Sequence, residues 1–273
     1  VRIFILHPSS FILAALALLL SASALAGEAQ WKLLQEQAEG HLQRGAFQQA
    51  EQFGRSALKE AGTLGPAHRA TGQSLSTLAL ALRLQGKHGE ALPLAERLVA
   101  IRMKQHGPGE TSTGIALHNN AEILIAMGRY AEAEKLQAAA LAAFERKLGP
   151  VHQNSASAMH NMGAIHLKQA RYGEAEKYLR RALAAKEKVL SPGNLSIAHT
   201  LESLAASLDG QGRQIEAEKF KRRAAAMRER AKQPGPKAEV RRQKAEVASG
   251  EAGGHPSSLI PHPYSVGRAS KLV

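Results

Sequence analysis

The chain has 273 residues, 36 Lys and Arg against 23 Asp and Glu, a formal net charge of +13, 4% aromatic residues and no cysteine. The lack of cysteine excludes disulfide frameworks, thiolate zinc sites, thiol nucleophiles and a lipidated cysteine. The Ala- and Leu-rich, aromatic-poor mixture favours close helix packing over a β-sandwich core, and the positive balance favours acidic partners without bearing on fold.

In chain order the first element is an apolar run, FILAALALLL at 11–20, followed by SASALAG at 21–27. Ala24-Leu25-Ala26 supplies the small side chains of a cleavage site before Gly27, so residues 1–26 read as a secretory signal peptide. Arg2 is its sole basic residue ahead of the apolar run. The run falls short of the about 20 apolar residues that span a bilayer, so the expectation is an exported protein, periplasmic or extracellular. The alternative is an uncleaved N-terminal helix that anchors the chain.

From residue 27 onward the sequence repeats. Pro66, Pro108, Pro150 and Pro192 are each 42 residues apart, and Gly65, Gly107 and Gly149 precede the first three. The segments GKHGEA (86–91), GRYAEA (128–133), ARYGEA (170–175) and GRQIEA (212–217) keep the same period, and GAFQQA (45–50) fits with one residue fewer. Self-similarity at a fixed period signals an array. Each unit holds two apolar-periodic stretches, such as roughly 152–169 and 172–190, separated by a short turn. Proline, which lacks an amide donor and restricts the residue before it, closes one helix and opens the next. Leu34, Leu75, Leu117, Met159 and Leu201 form one column of the first helices, and Ala38, Ala79, Ala121, Gly163 and Ala205 another, four residues on. Ala50, Ala91, Ala133, Ala175 and Ala217 on the second helices permit close approach, with Phe53, Leu94, Leu136, Tyr178 and Phe220 filling the space beside them. The predicted fold is all-α, a right-handed α-solenoid of about five antiparallel helix hairpins over 27–232, followed by a basic disordered tail at 233–273.

Units such as GPVHQNSASAMHNMGAIHLKQARYGEAEKYLRRALAAKEKVL (149–190) resemble tetratricopeptide repeats of the kinesin-light-chain type. The resemblance covers about three quarters of the chain. It is specific for architecture and unspecific for function, because such repeats serve many complexes. Pro93 inside a helix matches a proline often seen there, whereas Asn120 stands at a normally apolar position and His41 and His166 where an aromatic residue or leucine is usual. The resemblance implies that the first helices line a concave groove that binds a protein or peptide. The groove candidates are then Ser76, Thr77 and Arg83; His118, Asn119 and Glu122; His160, Asn161 and Lys168; and His199, Glu202 and Asp209. Asn119 and Asn161 occupy the place where the family often hydrogen-bonds the backbone of an extended peptide, a task that suits an amide because it donates and accepts at once.

His118 and His160 recur one period apart and raise the question of a metal. Successive helices lie roughly 10 Å apart while zinc needs nitrogens at about 2 Å, and no third ligand repeats in register, so no metal site is expected. His68 and His152 fall in turns after Gly-Pro, where a turn role is expected. No phosphate-cradling glycine loop, His-Glu-x-x-His or nucleophile elbow is present, and Asp209 is the only aspartate. Glu132 and Glu134 sit at helix starts, where carboxylates favour the helix dipole. No enzymatic activity and no cofactor are expected.

Basic residues gather late. Arg180 and Arg181 recur as Arg222 and Arg223, and a lysine- and arginine-rich run continues to Lys244. The alternative function is therefore a structural assembly factor that uses this basic convex face and tail on an anionic or membrane surface. A solvated helix face is the plainer account, and nucleic acid is disfavoured because no aromatic residues are interleaved for base stacking. The sequence leaves the oligomeric state and the partner open. From about Gln233 Pro, Gly, Ser and charge dominate.

Overall fold

The computed structural model describes residues 8–66 and 68–232, with side chains from Leu25 onward. Those residues form ten helices and no strand: α1 Pro8–Gln43, α2 Phe47–Leu64, α3 Arg69–Leu84, α4 His88–His106, α5 Thr111–Ala126, α6 Tyr130–Leu148, α7 Gln153–Lys168, α8 Tyr172–Val189, α9 Leu195–Gly210 and α10 Gln214–Lys232. Consecutive helices from α1 to α9 pack on one another, and Ala217 and Ala224 of α10 share a core cluster with Leu201, Leu204 and Leu208 of α9, so the predicted hairpins are present at the predicted places and adjacent pairs pack as a solenoid. The chain divides into two units, 1–228 and 229–273; of the second, only the end of α10 is described, where Lys232 pairs with Glu229 at 2.7 Å. The proposed tail at 233–273 lies outside the described residues, as do residues 1–7 of the proposed signal peptide; the backbone of 8–24 belongs to α1. Among the described residues no helix is long and apolar enough to cross a membrane.

Two kinds of turn build the array. Within a hairpin, Gly45, Gly86, Gly128 and Gly212 take φ of 73–77°, and Ala170 takes 56° in the one unit that lacks the glycine. The following amides close the helix end: Arg129 N donates to Leu124 O at 2.9 Å and Gly128 N to Ile125 O at 3.0 Å, the Schellman arrangement. Between hairpins, a buried hydroxyl holds the glycine carbonyl. Thr71 Oγ1 donates to Gly65 O at 2.9 Å, Thr113 Oγ1 to Gly107 O at 2.8 Å and Ser155 Oγ to Gly149 O at 2.7 Å. Next to these, His68 Nδ1 accepts from Ala70 N, His152 Nδ1 from Asn154 N, and Asn194 Oδ1 from Ser196 N. The two histidines are thus N-caps, supplying an acceptor that the first turn of a helix lacks.

The packing columns are interior. Ala50, Ala91, Ala133, Ala175 and Ala217 are fully buried, as are Leu75, Leu201, Ala38, Ala121 and Ala205. A Cβ on Gly163 would meet Leu179 Cγ at 2.5 Å, so the glycine is what lets α7 and α8 close around that leucine. Each fully buried leucine contributes roughly 2 kcal/mol from apolar area removed from water. His41 stacks on Phe53 with ring centroids 5.3 Å apart, and His166 on Tyr178 at 5.4 Å, so each histidine acts as the flat ring its column calls for.

The first helices of successive units approach closely, α1 with α3, α3 with α5, α5 with α7 and α7 with α9, whereas α2, α4, α6 and α8 make no such approach to one another. The second helices are bridged only by long side chains, through Arg55–Glu90, Arg180–Glu216, Arg181–Glu145 and Arg223–Glu187. The first helices therefore line the inner side of the row.

Candidate groove on the first helices

The inner positions of α3, α5, α7 and α9 carry most of the groove candidates. Glu122 is the meeting point of three units. Arg83 Nη2 lies 3.2 Å from its Oε2, His118 Nε2 3.7 Å from its Oε1, and Asn161 Nδ2 donates to Oε1 at 3.5 Å. One turn away, Asn119 lines a cleft of about 20 Å³ between α3 and α5 with Ser76, Ala79, Leu80 and Arg83, enough room for a water. Asn119 makes no hydrogen bond among the described residues. Leu80, Leu84 and Ile115, 38%, 42% and 42% exposed, put apolar surface beside it. These three were not singled out in the sequence. Their signal was a large aliphatic residue in columns that hold Glu, Gln, Lys, His, Ser, Ala or Gly in other units.

The other end of the groove differs. A depression of about 570 Å³ between α7 and α9 is lined by Ala164, Lys168, Tyr172, Glu202, Ser203, Ala206 and Gly210, so Lys168 and Glu202 face one space. Glu202 is held by Arg228 through two bonds of 2.6 and 2.7 Å, which keep its carboxyl below the usual range. Asp209 pairs with Lys221 at 2.8 Å, and His199 is exposed.

Two candidates lie deeper than the sequence implied. Thr77 is buried, and its Oγ1 accepts from Gln35 Nε2 at 2.7 Å in a network that continues through Ser74 to Trp31. It joins α1 to α3 and does not reach the groove. His160 is half-buried, with Nδ1 3.2 Å from Thr200 Oγ1, and that hydroxyl accepts from Lys186 Nζ at 2.9 Å. Burial, followed by the neighbouring Lys186 charge, pushes the His160 imidazole down to about 3. Burial alone pushes Lys186 down to about 8, and no carboxylate offsets it; its remaining bond is to Ser196 O at 3.3 Å. His118 is likewise lowered, first by burial, and its Nδ1 lies 3.0 Å from Gln137 Nε2. Gln137, Lys186 and Thr200 were missed by sequence reasoning, because each resembles an ordinary solvent-facing helix residue. Among the described residues no group of three or more His, Asp or Glu side chains is placed to hold a metal.

The basic-face arginines all carry carboxylates. Arg180 binds Glu176 at 2.7 Å and lies 5.7 Å over the Phe220 ring, Arg222 binds Glu218 at 3.1 Å, and Arg181 and Arg223 bind Glu145 and Glu187. Glu132 and Glu134 are paired as well, with Arg129 and Arg171.

The tetratricopeptide repeat family profile matches residues 28–104, 112–188 and 161–230. No curated protein matches the chain. Among solved structures, nearly identical TPR-like repeats described as a kinesin light chain of Podosopora anserina align at 24% identity over 73% of this chain and 95% of that one, with a TM-score of 0.62. BtubC (BKLC) from P. vanneervenii aligns at 20% identity over 91% and 97%, TM-score 0.63. Pseudomonas aeruginosa pilF aligns at 17% over 74% and 78%, TM-score 0.55. At these identities the likeness is one of fold.

Proposed function

This chain belongs to the tetratricopeptide repeat family, whose repeats are protein–protein interaction scaffolds, and from that premise we propose that it binds an extended protein segment along the first helices of units two to four. The observation that carries this reading is Asn119, an amide free of partners in the cleft between α3 and α5, with Leu80 and Ile115 exposed next to it. An extended segment offers what that surface lacks: backbone N–H and C=O groups for the amide, and alternate side chains to cover the leucine and isoleucine. The Arg83–Glu122–Asn161 contacts hold the neighbouring positions in place. The family's repeats generally serve as non-catalytic scaffolds, and we infer a binding protein without enzymatic activity.

The test is affinity capture with the full chain from its own cells, followed by the double variant Asn119→Ala, Asn161→Ala. Two lost hydrogen bonds at about 1 kcal/mol each predict a roughly tenfold or greater loss of the captured segment's affinity, with an almost unchanged melting transition. Equal affinity would remove the groove from consideration. The apolar run at 11–20 and Ala24-Leu25-Ala26 support export of the protein, with the mature chain beginning near Gly27. N-terminal sequencing from fractionated cells checks this, and a full-length chain in the cytosol would refute it.

A further inference from the structure

On the second helices Arg180, Arg181, Arg222 and Arg223 are each held by a carboxylate, as are Lys147 and Lys221. Several other cations there make no ion pair among the described residues. Lys135, Lys177 and Lys219 are exposed, one period apart, each five residues into its helix, and none makes an ion pair among the described residues. A second file, Lys104, Arg146 and Lys188, has the same spacing and is likewise exposed and without an ion pair. The carboxylates beside the first file do not cancel it: Glu132, Glu134, Glu176 and Glu218 are each held by an arginine, and Glu174 is the exception. Glu145 and Glu187, next to the second file, are held by Arg181 and Arg223.

Topology puts the files on one face. The second helices all run in the same direction, so residues at equal depth lie at the same edge. The intervals from Lys135 to Arg146 and from Lys177 to Lys188 are eleven residues, close to three turns, so the members of each pair leave the helix on the same side about 16 Å apart along the axis, although the Arg146 guanidinium turns across Gly109 beside Glu110. Between them the outward position is the exposed small residue Ala142 in α6 and Ala184 in α8. On α10, Ile215 is 82% exposed and lies one turn before Lys219 on the same stripe.

We propose that this outward face docks on a surface of anionic lipid headgroups. The chemistry separates this partner from others. Carboxylates of a protein partner are best matched by the planar fork of arginine, and this chain uses its arginines that way internally, with two-bond pairs at Arg129–Glu132 and Arg213–Glu216. The residues left free are mostly lysines, hydrated point charges on flexible stems, which suit a diffuse negative surface that presents no fixed geometry. Alanines between the files let a broad surface approach. An exposed isoleucine beside a free lysine matches the polar–apolar boundary of a bilayer. No aromatic ring lies among these cations to stack a base.

The experiment uses the full chain with vesicles of phosphatidylcholine alone and of phosphatidylcholine with phosphatidylserine, read by co-sedimentation. The wild type should bind the phosphatidylserine vesicles more tightly, and the preference should shrink as salt rises from about 0.05 to 0.3 M. Lys135→Gln with Lys177→Gln and Lys219→Gln should weaken that binding at least about tenfold. Lys135→Arg with Lys177→Arg and Lys219→Arg should retain it, and circular dichroism should be the same for the wild type and both variants. Binding through the apolar N-terminal run would be common to every variant and would appear with phosphatidylcholine alone. Unchanged binding by the glutamine variant overturns the proposal, as does a lysine-dependent affinity for duplex DNA that exceeds that for the vesicles. The groove variants Asn119→Ala, Asn161→Ala should leave vesicle binding intact, so this face and the groove stand or fall separately.

Discussion

The Thr113 hydroxyl donates to the carbonyl oxygen of Gly107 at 2.8 Å, across the turn that joins the second hairpin to the third. The same contact recurs at Thr71 with Gly65 and at Ser155 with Gly149, and all three hydroxyl residues are fully buried. The last seam gives it up entirely, with Ser191 in the glycine column and Ile197 in the hydroxyl column. Glycine at positive φ turns its carbonyl away from the helix ladder, and the hydroxyl satisfies it. Thr113→Val and Ser155→Ala should each cost about 1 kcal/mol, and because they sit in different seams their effects should add. Urea unfolding of the two single variants and the double checks this; unshifted midpoints would mean that water serves the carbonyl equally well.

The hairpins were legible because their causes are local. Gly-Pro, the positive-φ glycine and the buried alanine recur at one spacing, and each forces its neighbourhood without help from distant residues. The groove was legible in part. Asn119, Ser76 and Arg83 line a common cleft, but Thr77, one residue from Ser76 and about 100° around the helix, turns into the α1–α3 contact. A column read without a partner helix gives the period of a face and not which face it is. The basic stripe shows a second gap. Arg181 and Glu145 are 36 residues apart and meet only because the repeats stack, so a charge sum along the sequence counts as free what the fold has already paired. Lys186 shows the reverse: it reads as solvated within a lysine-rich stretch, yet it is 4% exposed, one period from the buried Phe144.

Lys186 and His160 give the fold a pH dependence with a definite sign. Both folded values lie below the ordinary ones, so in each case the unfolded chain holds more protons over the window between the two values, and stability rises with pH there. For His160 that window runs from about 3 to the ordinary histidine value of 6.5, and lowering pH through it should destabilise the array. For Lys186 it runs from about 8 to 10.5, and raising pH through it should stabilise. The groups facing the amine are Thr200 Oγ1 and Ser196 O, with His160 behind the threonine. Lys186→Met should therefore be more stable than the wild type at pH 7, with the difference closing above about pH 10. His160→Gln should flatten the acid limb. Thermal melts across pH would read both, and parallel curves for wild type and Lys186→Met would contradict the assignment.

The third unit, α5 and α6, should be the first to open. Asn120 Oδ1 and Gln137 Oε1 have no hydrogen-bond partner although the residues are 4% and 0% exposed. Units two, four and five put Leu78, Met162 and Leu204 in the first column, and units two and four put Ala95 and Leu179 in the second, all buried. The unit is also less firmly tied to its predecessor. Elsewhere a glutamate on a second helix accepts from a glutamine and a cation of the next turn: Glu51 from Gln85 and Lys87, Glu134 from Gln169 and Arg171, and Glu176 from Gln211 and Arg213. Leu92 and Met127 occupy those columns between units two and three, and Arg129 turns to Glu132 of its own helix. Glu110, at the N-cap of α5, makes no capping bond, unlike His68, His152 and Asn194. Because stability in such an array is close to a sum of unit and seam contributions, a local deficit stays local. Amides of α5 and α6 should exchange with deuterium faster than those of α3, α4, α7 and α8. Asn120→Leu removes the unpaired oxygen and restores the aliphatic column, so it should stabilise by about 1–2 kcal/mol and slow exchange in the same two helices by roughly tenfold. Peptide-resolved exchange mass spectrometry of the wild type and this variant reads both quantities. Uniform protection across the array, or a variant that exchanges as the wild type does, would place the weak point elsewhere.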